Sequence, residues 1–427
     1  MKLNIKIVLL IFFCAILIIA MKSFLNSGET SETKADTVKI GVLLPLTGPA
    51  EPTGTKLKSA IEVAEELINK EYPEINFELG KASGLSNLNN KKIEFIYADH
   101  RANPEIARAE AERLIKEEKV VALIGAYHSS ATKTASQVAE EYSIPFLAGS
   151  SSSASLTNRG YDYFFRIAPD DHMETEFFFE YIKYLNKDLQ AGIKTIGVVY
   201  IDNEYGIHAA EMVDKWLEEK YKHEGFEKTV EVRYSENLVE IEEGIKRLKA
   251  ASPDVIFQAS YIEDVTQLVR NYKREDIVPK AVISYCGGFH DPLFIDNLGE
   301  DGNYYSGSSA SMPSLFKSNV SEYKINQLYK HKTGEDLDGP ALEEFASAII
   351  IADAINTAAS FKSEDIIQVL KTKTFDTPFF TSGSIAFNEK GQNIRDISFM
   401  VQIQDGKYEV VWPLDIQEKR PQILGNY

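Results

Sequence analysis

The chain has 427 residues, 44% of them hydrophobic and 26% charged. That is a globular composition, long enough for two or three domains of roughly 150 residues each. Its 64 acidic against 46 basic side chains leave a net charge of −18, which argues against nucleic acid and anionic membrane surfaces as partners.

At the N-terminus, Lys2 and Lys6 flank the start of an unbroken apolar run from Ile7 to Met21. This is the pattern of an export signal, and the run is shorter than the roughly 20 residues of a spanning helix. Residues 1–22 therefore read as a signal peptide or N-terminal anchor. Ile18-Ile19-Ala20 is a poor cleavage site, so both forms stay open. Cys14 follows Ile11-Phe12-Phe13 in mid-run, unlike a lipoprotein box, and reads as a small apolar residue of the signal. Cys286 is the other cysteine, so the exported part has no internal disulfide and depends on core packing. Residues 23–36 are a polar, flexible linker.

Val38 to Leu44 reads as a strand ending at Pro45-Leu46-Thr47-Gly48-Pro49. Leu57, Ile61, Ala64, Leu67 and Ile68 then recur at helical spacing. Residues 71–91 are polar and irregular, a surface insertion. Lys92 to Ala98 is a strand, and Asn103-Pro104 opens a helix as cap and first residue. Val120 to Ala126 is a strand broken by Tyr127-His128-Ser129-Ser130. Ala131, Ala135, Val138, Ala139 and Tyr142 mark the next helix, with Ser129 or Ser130 at its N-cap. Ile144 to Ala148 is a strand running into the polar turn Ser150 to Ser153. A second series follows: strands at Thr195–Ile201, Val230–Tyr234, Val255–Ala259 and Ala281–Tyr285, with helices between them. A helix rich in Ala and Ile spans Ala341 to Ala359.

Alternating strands and helices imply βαβ units and parallel sheets. Ligands of such sheets bind beyond the carboxyl ends of the strands. The two serine clusters are therefore expected at one crevice, where free N–H groups at a helix start favour an anion such as a carboxylate. Enzyme signatures are absent: there is no Gly-x-Ser-x-Gly, Walker A loop, Gly-x-Gly-x-x-Gly or His-Glu-x-x-His. The seven histidines are scattered, and no pair stands at metal-ligand spacing on one helix. The chain reads as no enzyme, with no cofactor and no metal.

The combination Ile124-Gly125, Ser129-Ser130, Ala139-Glu140, Ile144-Pro145, Ser150 to Ser153, Leu156-Thr157 and Arg159-Gly160 resembles the signature of the leucine/isoleucine/valine-binding protein family, the solute receptors of ABC importers. Pro45 to Gly48 and the turn from Gly383 to Gly391 are similar to elements of the same family, so the resemblance runs from about residue 37 to the end. It implies an α/β, type I periplasmic-binding-protein fold: two lobes, each a mostly parallel sheet flanked by helices, joined by three hinge crossings. Lobe 1 would comprise 37–168 and 312–380, and lobe 2 169–311 and 381–427.

The resemblance also implies site roles. Ser129 and Ser152 would hold a ligand carboxylate through charge-assisted hydrogen bonds, and the backbone carbonyl of Ser150 would take an ammonium. Ser130 and Ser151 are alternatives within the serine runs. Tyr205 would close over the ligand, and Tyr261 would form an apolar wall. The plainer reading is that the serines cap a helix and fill a turn and that the tyrosines pack at sheet edges. Relatives carry an acid after the strand matching Ala281–Tyr285, where it pairs with the ammonium. Here Tyr285 to His290 has none, and Glu204 or Asp291 would have to substitute. The expected ligand is a branched-chain or other aliphatic amino acid, or a related amide or carboxylate. The expected partner is an ABC transporter permease, met by a monomer at a periplasmic or cell-surface location. The alternative is a ligand-sensing ectodomain or partner of a membrane receptor.

Overall fold

Short apolar runs build the first sheet. In the computed structural model, which describes residues 37–75, 78–235, 238, 241–310, 312, 314–315, 320–395 and 398–424, these runs become β1 (Val38–Leu44), β2 (Ile93–Asp99), β3 (Ala122–Gly125), β4 (Phe146–Ala148) and β5 (Phe164–Arg166). The signal, anchor and linker readings of residues 1–36, Cys14 included, lie outside the described residues. The strands pair in the order β2-β1-β3-β4-β5, all parallel. Alternate residues of β1 face opposite sides, as a pleat requires. Ile40, Val42 and Leu44 meet one core with α1 (Glu51–Asn69), and Leu43 meets the other with α2 (Pro104–Arg113) and α3 (Ser129–Glu141).

After β5 the chain enters the second lobe through α4 (Asp171–Asp188). There β6 (Thr195–Ile201), β7 (Glu227–Tyr234), β8 (Val255–Ala259), β9 (Ala281–Ser284) and β10 (Ser306–Ser309) are parallel, while the later β13 (Phe399–Gln404) and β14 (Lys407–Trp412) are antiparallel additions. The sheet order is β14-β13-β10-β9-β8-β6-β7. Between these strands run α5 (Glu204–Glu219), α6 (Ile241–Ala251), α7 (Ile262–Arg274), the short α8 (Cys286–Phe289) and α9 (Pro292–Leu298). The first lobe is completed by α10 (Val320–Thr333), α11 (Gly339–Ala358), α12 (Ser363–Thr372) and the pair β11 (Phe375–Asp376) and β12 (Ser384–Ile385). This is the two-lobed α/β architecture the resemblance implied.

Helix starts follow cap chemistry: the side chains of Asn103, Asp170, Asn203, Asp291 and Asp338 each accept from backbone N–H groups of the first turn, a stabilisation of about 1 kcal/mol apiece. The start of α3 differs from expectation. His128 is its N-cap, with no side-chain cap bond, and Ser129 is the first helical residue. The reason lies across the loop, because the Ser129 hydroxyl accepts from the Ser153 N–H at 3.3 Å and so ties the two serine turns together. Segment 71–91 is more than a surface insertion, since Ile75, Leu79 and Leu85 are buried in the first lobe's core. The last crossing between lobes also falls later than the expected 380/381 division. Phe380, Ile385 and Phe387 pack in the first lobe's core, and Phe399 is the first residue of β13.

Candidate ligand-binding cleft

Every loop that matters leaves the carboxyl end of a parallel strand. The turn after β3 supplies Tyr127 and Ser129, and the turn after β4 supplies Ser150 and Ser152. From the other lobe, the first turn of α5 after β6 supplies Tyr205, and the N-cap of α7 after β8 supplies Tyr261. These six residues line a single hollow of 20 Å³. A second hollow of 10 Å³ shares Ser150 and Ser152 with it and continues past Glu174, Ser308 and Glu343. Each holds little more than one water molecule, so the lobes stand closed on one another.

The five residues expected at the site therefore come together. Ser129 is buried, and since its oxygen accepts from Ser153 its own O–H remains able to donate. Ser150, half-buried, donates to Glu344 Oε1 at 2.8 Å. Ser152 accepts the Asp171 N–H on its carbonyl at 2.9 Å. Tyr205 is buried with no partner for its hydroxyl. The Tyr261 ring lies 5.2 Å from that of Tyr205 and 5.9 Å from that of Tyr127, at edge-and-face distances favoured by aromatic pairs.

The alternative candidates lie elsewhere. Ser130 is half-buried on α3, away from the lining. Ser151 is fully buried, bonded to Thr132 Oγ1 at 2.5 Å and donating to the Tyr127 carbonyl at 3.1 Å. Glu204 and Asp291 line neither hollow; they clasp the lobes. Glu204 accepts from Lys133 at 2.7 Å and Ser155 at 2.5 Å. Asp291 accepts from Lys56 at 3.1 Å and Thr53 at 3.0 Å. A third clasp runs from the Tyr127 hydroxyl to the Gly287 carbonyl at 2.5 Å.

Four residues at or beside the cleft escape the sequence reading. Tyr127 holds φ at +66°, a conformation rare for an aromatic residue and typical of sites where surrounding structure over-determines the backbone. Glu174, in the first turn of α4, and Glu343 and Glu344, in an otherwise apolar α11, are all buried. A signal for the last two was present: two adjacent acids inside an Ala/Ile helix are almost never fully buried unless they are paired. Burial raises the Glu174 carboxyl to about 8 against the pull of Ser308, and Glu344 to about 7 against Ser150 and Ser347. It raises Glu343 well above the usual range, helped by the charge of Glu174. Burial also lifts Asp171 to about 7 against Ser152 and Arg166. Arg166, itself fully buried, spends its guanidinium on Gln392, the carbonyls of Ser151 and Ser153, and Thr157. Among the described residues no three His, Cys, Asp or Glu side chains converge to hold a metal ion.

The sequence and the fold have counterparts. "Leu/Ile/Val-binding protein homolog 7" of Brucella abortus (strain 2308) is 25% identical over 397 residues, covering 88% of this chain and 91% of that one. The crystal structure of a leucine binding protein, LivK, from Thermotoga maritima superposes with a TM-score of 0.74 at 21% identity, over 88% of this chain and 97% of its own. A solute binding protein of an ABC transporter from R. palustris, in complex with benzoate, superposes with a TM-score of 0.72 at 15% identity, over 88% and 95%. The family model described as periplasmic binding protein matches residues 37–407, and this chain belongs to that family.

Proposed function

We propose that the protein is the extracytoplasmic solute receptor of an ABC importer, binding a small polar ligand between its lobes and performing no chemistry on it. One observation carries the reading: three serines of one lobe and two tyrosines of the other line a single hollow at the carboxyl ends of both sheets. In this reading the free O–H of Ser129 and the Ser152 turn hold the ligand's polar head, and Tyr205 and Tyr261 close over its body. Contacts from both lobes exist only in the closed form, so ligand shifts an open–closed equilibrium by its differential affinity for that form. A membrane permease then reads the closed shape. The receptor acts as an exported monomer. A leucine binding protein and a benzoate complex among the structural relatives place amino acids and aromatic carboxylates in the first screen.

The test is a thermal-shift panel of amino acids, amines, amides and small carboxylates against the mature protein. At least one solute is expected to raise the unfolding midpoint in a saturable way. A folded protein that no member of the panel stabilises would overturn the reading.

A further inference from the structure

We propose that the cleft selects a ligand carrying an organic cation, an ammonium or guanidinium, with Glu174 of one lobe and Glu343 of the other as its counter-charges. The inference rests on the solute-receptor reading and narrows it. Both acids line the hollow that adjoins the tyrosines. Glu174 is 4% exposed; Ser308 donates to its Oε1 at 2.5 Å, while its Oε2 has no partner. Glu343 is also 4% exposed and makes no hydrogen bond or ion pair among the described residues. A buried carboxylate oxygen without a donor is strongly disfavoured. Asp171 and Glu263 also carry such oxygens but line neither hollow, so what sets Glu174 and Glu343 apart is that both face the cleft. Glu344 next door has Ser150 and Ser347, and Asp170 has Arg166.

Among the described residues nothing else nearby neutralises the pair. The donors of Arg166 are engaged elsewhere, and the Ser150 hydroxyl is turned to Glu344 rather than to an incoming anion. The unpartnered Tyr205 hydroxyl and the three tyrosine rings form a wall that tolerates a cation on its faces. The described acids do not converge on one metal-sized point, and the geometry suits a group with several N–H donors spread in space. A bare carboxylate could be accepted only while both acids keep their protons, and it would be repelled as they ionise.

Burial holds protons on both acids, so cation binding should release protons. The groups facing the pair are Asp170 and Asp171 at the start of α4, Arg166 from β5, Ser308 from β10, and Asp338 and Glu344 on α11. Only Arg166 among them is a cation.

The test uses matched probes at pH 8: leucine, 3-methylbutylamine and 4-methylpentanoate, with arginine and putrescine to extend the cation series. Titration calorimetry in two buffers of different ionisation enthalpy counts protons. Probes with a cationic nitrogen are expected to bind with proton release, and 4-methylpentanoate is not. Glu343→Gln and Glu174→Gln should each weaken the bound cation by about tenfold or more while leaving the unfolding midpoint of the free protein unchanged or raised. Binding of the carboxylate in preference to the amine, equal affinity in wild type and both variants, or binding without proton release would overturn the inference while leaving the receptor reading intact. Silence across these probes and the wider panel would overturn both.

Discussion

Asp291→Asn removes one interlobe clasp and little else. Asp291 caps α9 by accepting the Leu293 N–H at 3.0 Å, and Asn caps as well as Asp, so the helix start survives. What disappears is the charge that Lys56 and Thr53 of α1 meet from the other lobe. The pair is well sheltered, with side-chain exposures of 13% for Lys56 and 5% for Asp291. Burial pulls the Lys56 ammonium down, but Asp291, Asp338 and Glu335 outweigh it and hold it above its usual value. A charge-assisted bond of this kind contributes about 1.5–3 kcal/mol. Lys56 keeps Glu335 at 3.3 Å, and opening returns the ammonium to water, so the net loss of closing free energy is about 1–2 kcal/mol. That is about a 5- to 30-fold shift towards the open form. Small-angle scattering reads the shift directly, and calorimetry with a solute from the panel should show affinity falling by up to the same factor. A variant whose scattering and affinity both stay within twofold of wild type would refute the assignment of Asp291 to closure.

The raised carboxyls of Glu174, Asp171 and Glu344 make the native state hold protons that the unfolded chain releases. Stability should therefore be highest near pH 5 and fall as pH rises through 7 to 8; urea midpoints across this range check it, and Glu174→Gln should flatten the slope. Glu204 behaves oppositely. Burial alone would raise it, but His208, Lys133 and Ser155 hold it at about 2, so its contribution is present above about pH 4.5 and lost as pH falls towards 2. Because Lys133 is 47% exposed, Lys133→Gln should weaken closure by less than about 1 kcal/mol, and high salt should abolish the difference in scattering. Gly149→Ala would put a methyl 2.5 Å from the Glu344 carboxyl carbon, and a loss of about 1–3 kcal/mol in urea unfolding is expected; an unchanged midpoint would show that Glu344 is free to move.

Where an element is defined by its own residues, the sequence was a good guide. β1, β6 and β8 begin and end where their apolar runs do, and Asn103 caps α2. The serine turns were legible because a short loop after a parallel strand has few places to go. β10 was not, because Ser-Gly-Ser-Ser carries no apolar pattern. It is a buried strand through its pairing with β9 and β13, and Gly307 is there to admit the Phe289 ring. The roles of Glu204 and Asp291 were equally hidden. Each was legible as an acid near the cleft, but whether it faces ligand or the opposite lobe depends on Lys133 and Lys56, far away in sequence. Glu174 and Glu343 meet only after the chain has crossed between lobes, and no local pattern anticipates that.

Glu174 keeps one carboxylate oxygen without a donor, Glu343 has no hydrogen bond among the described residues, and both face the same hollow. In the proposed cleft, negative charge is supplied by one residue from each lobe, and that changes what closing requires. In an open cleft each carboxylate is hydrated and ionises near its ordinary pKa. Closing strips water from both and brings the charge of Glu174 to bear on Glu343, so it demands either protons or a cation. Above about pH 8 protons are scarce and the cation becomes the condition for closure. Glu343→Gln removes that demand. Its free form should shift towards the closed state in scattering at pH 8 while its affinity for an ammonium probe falls, two changes of opposite sense for the same equilibrium. A substitution that merely loosened the cleft would shift scattering towards the open state, and that result would refute the coupling between ligand charge and closure.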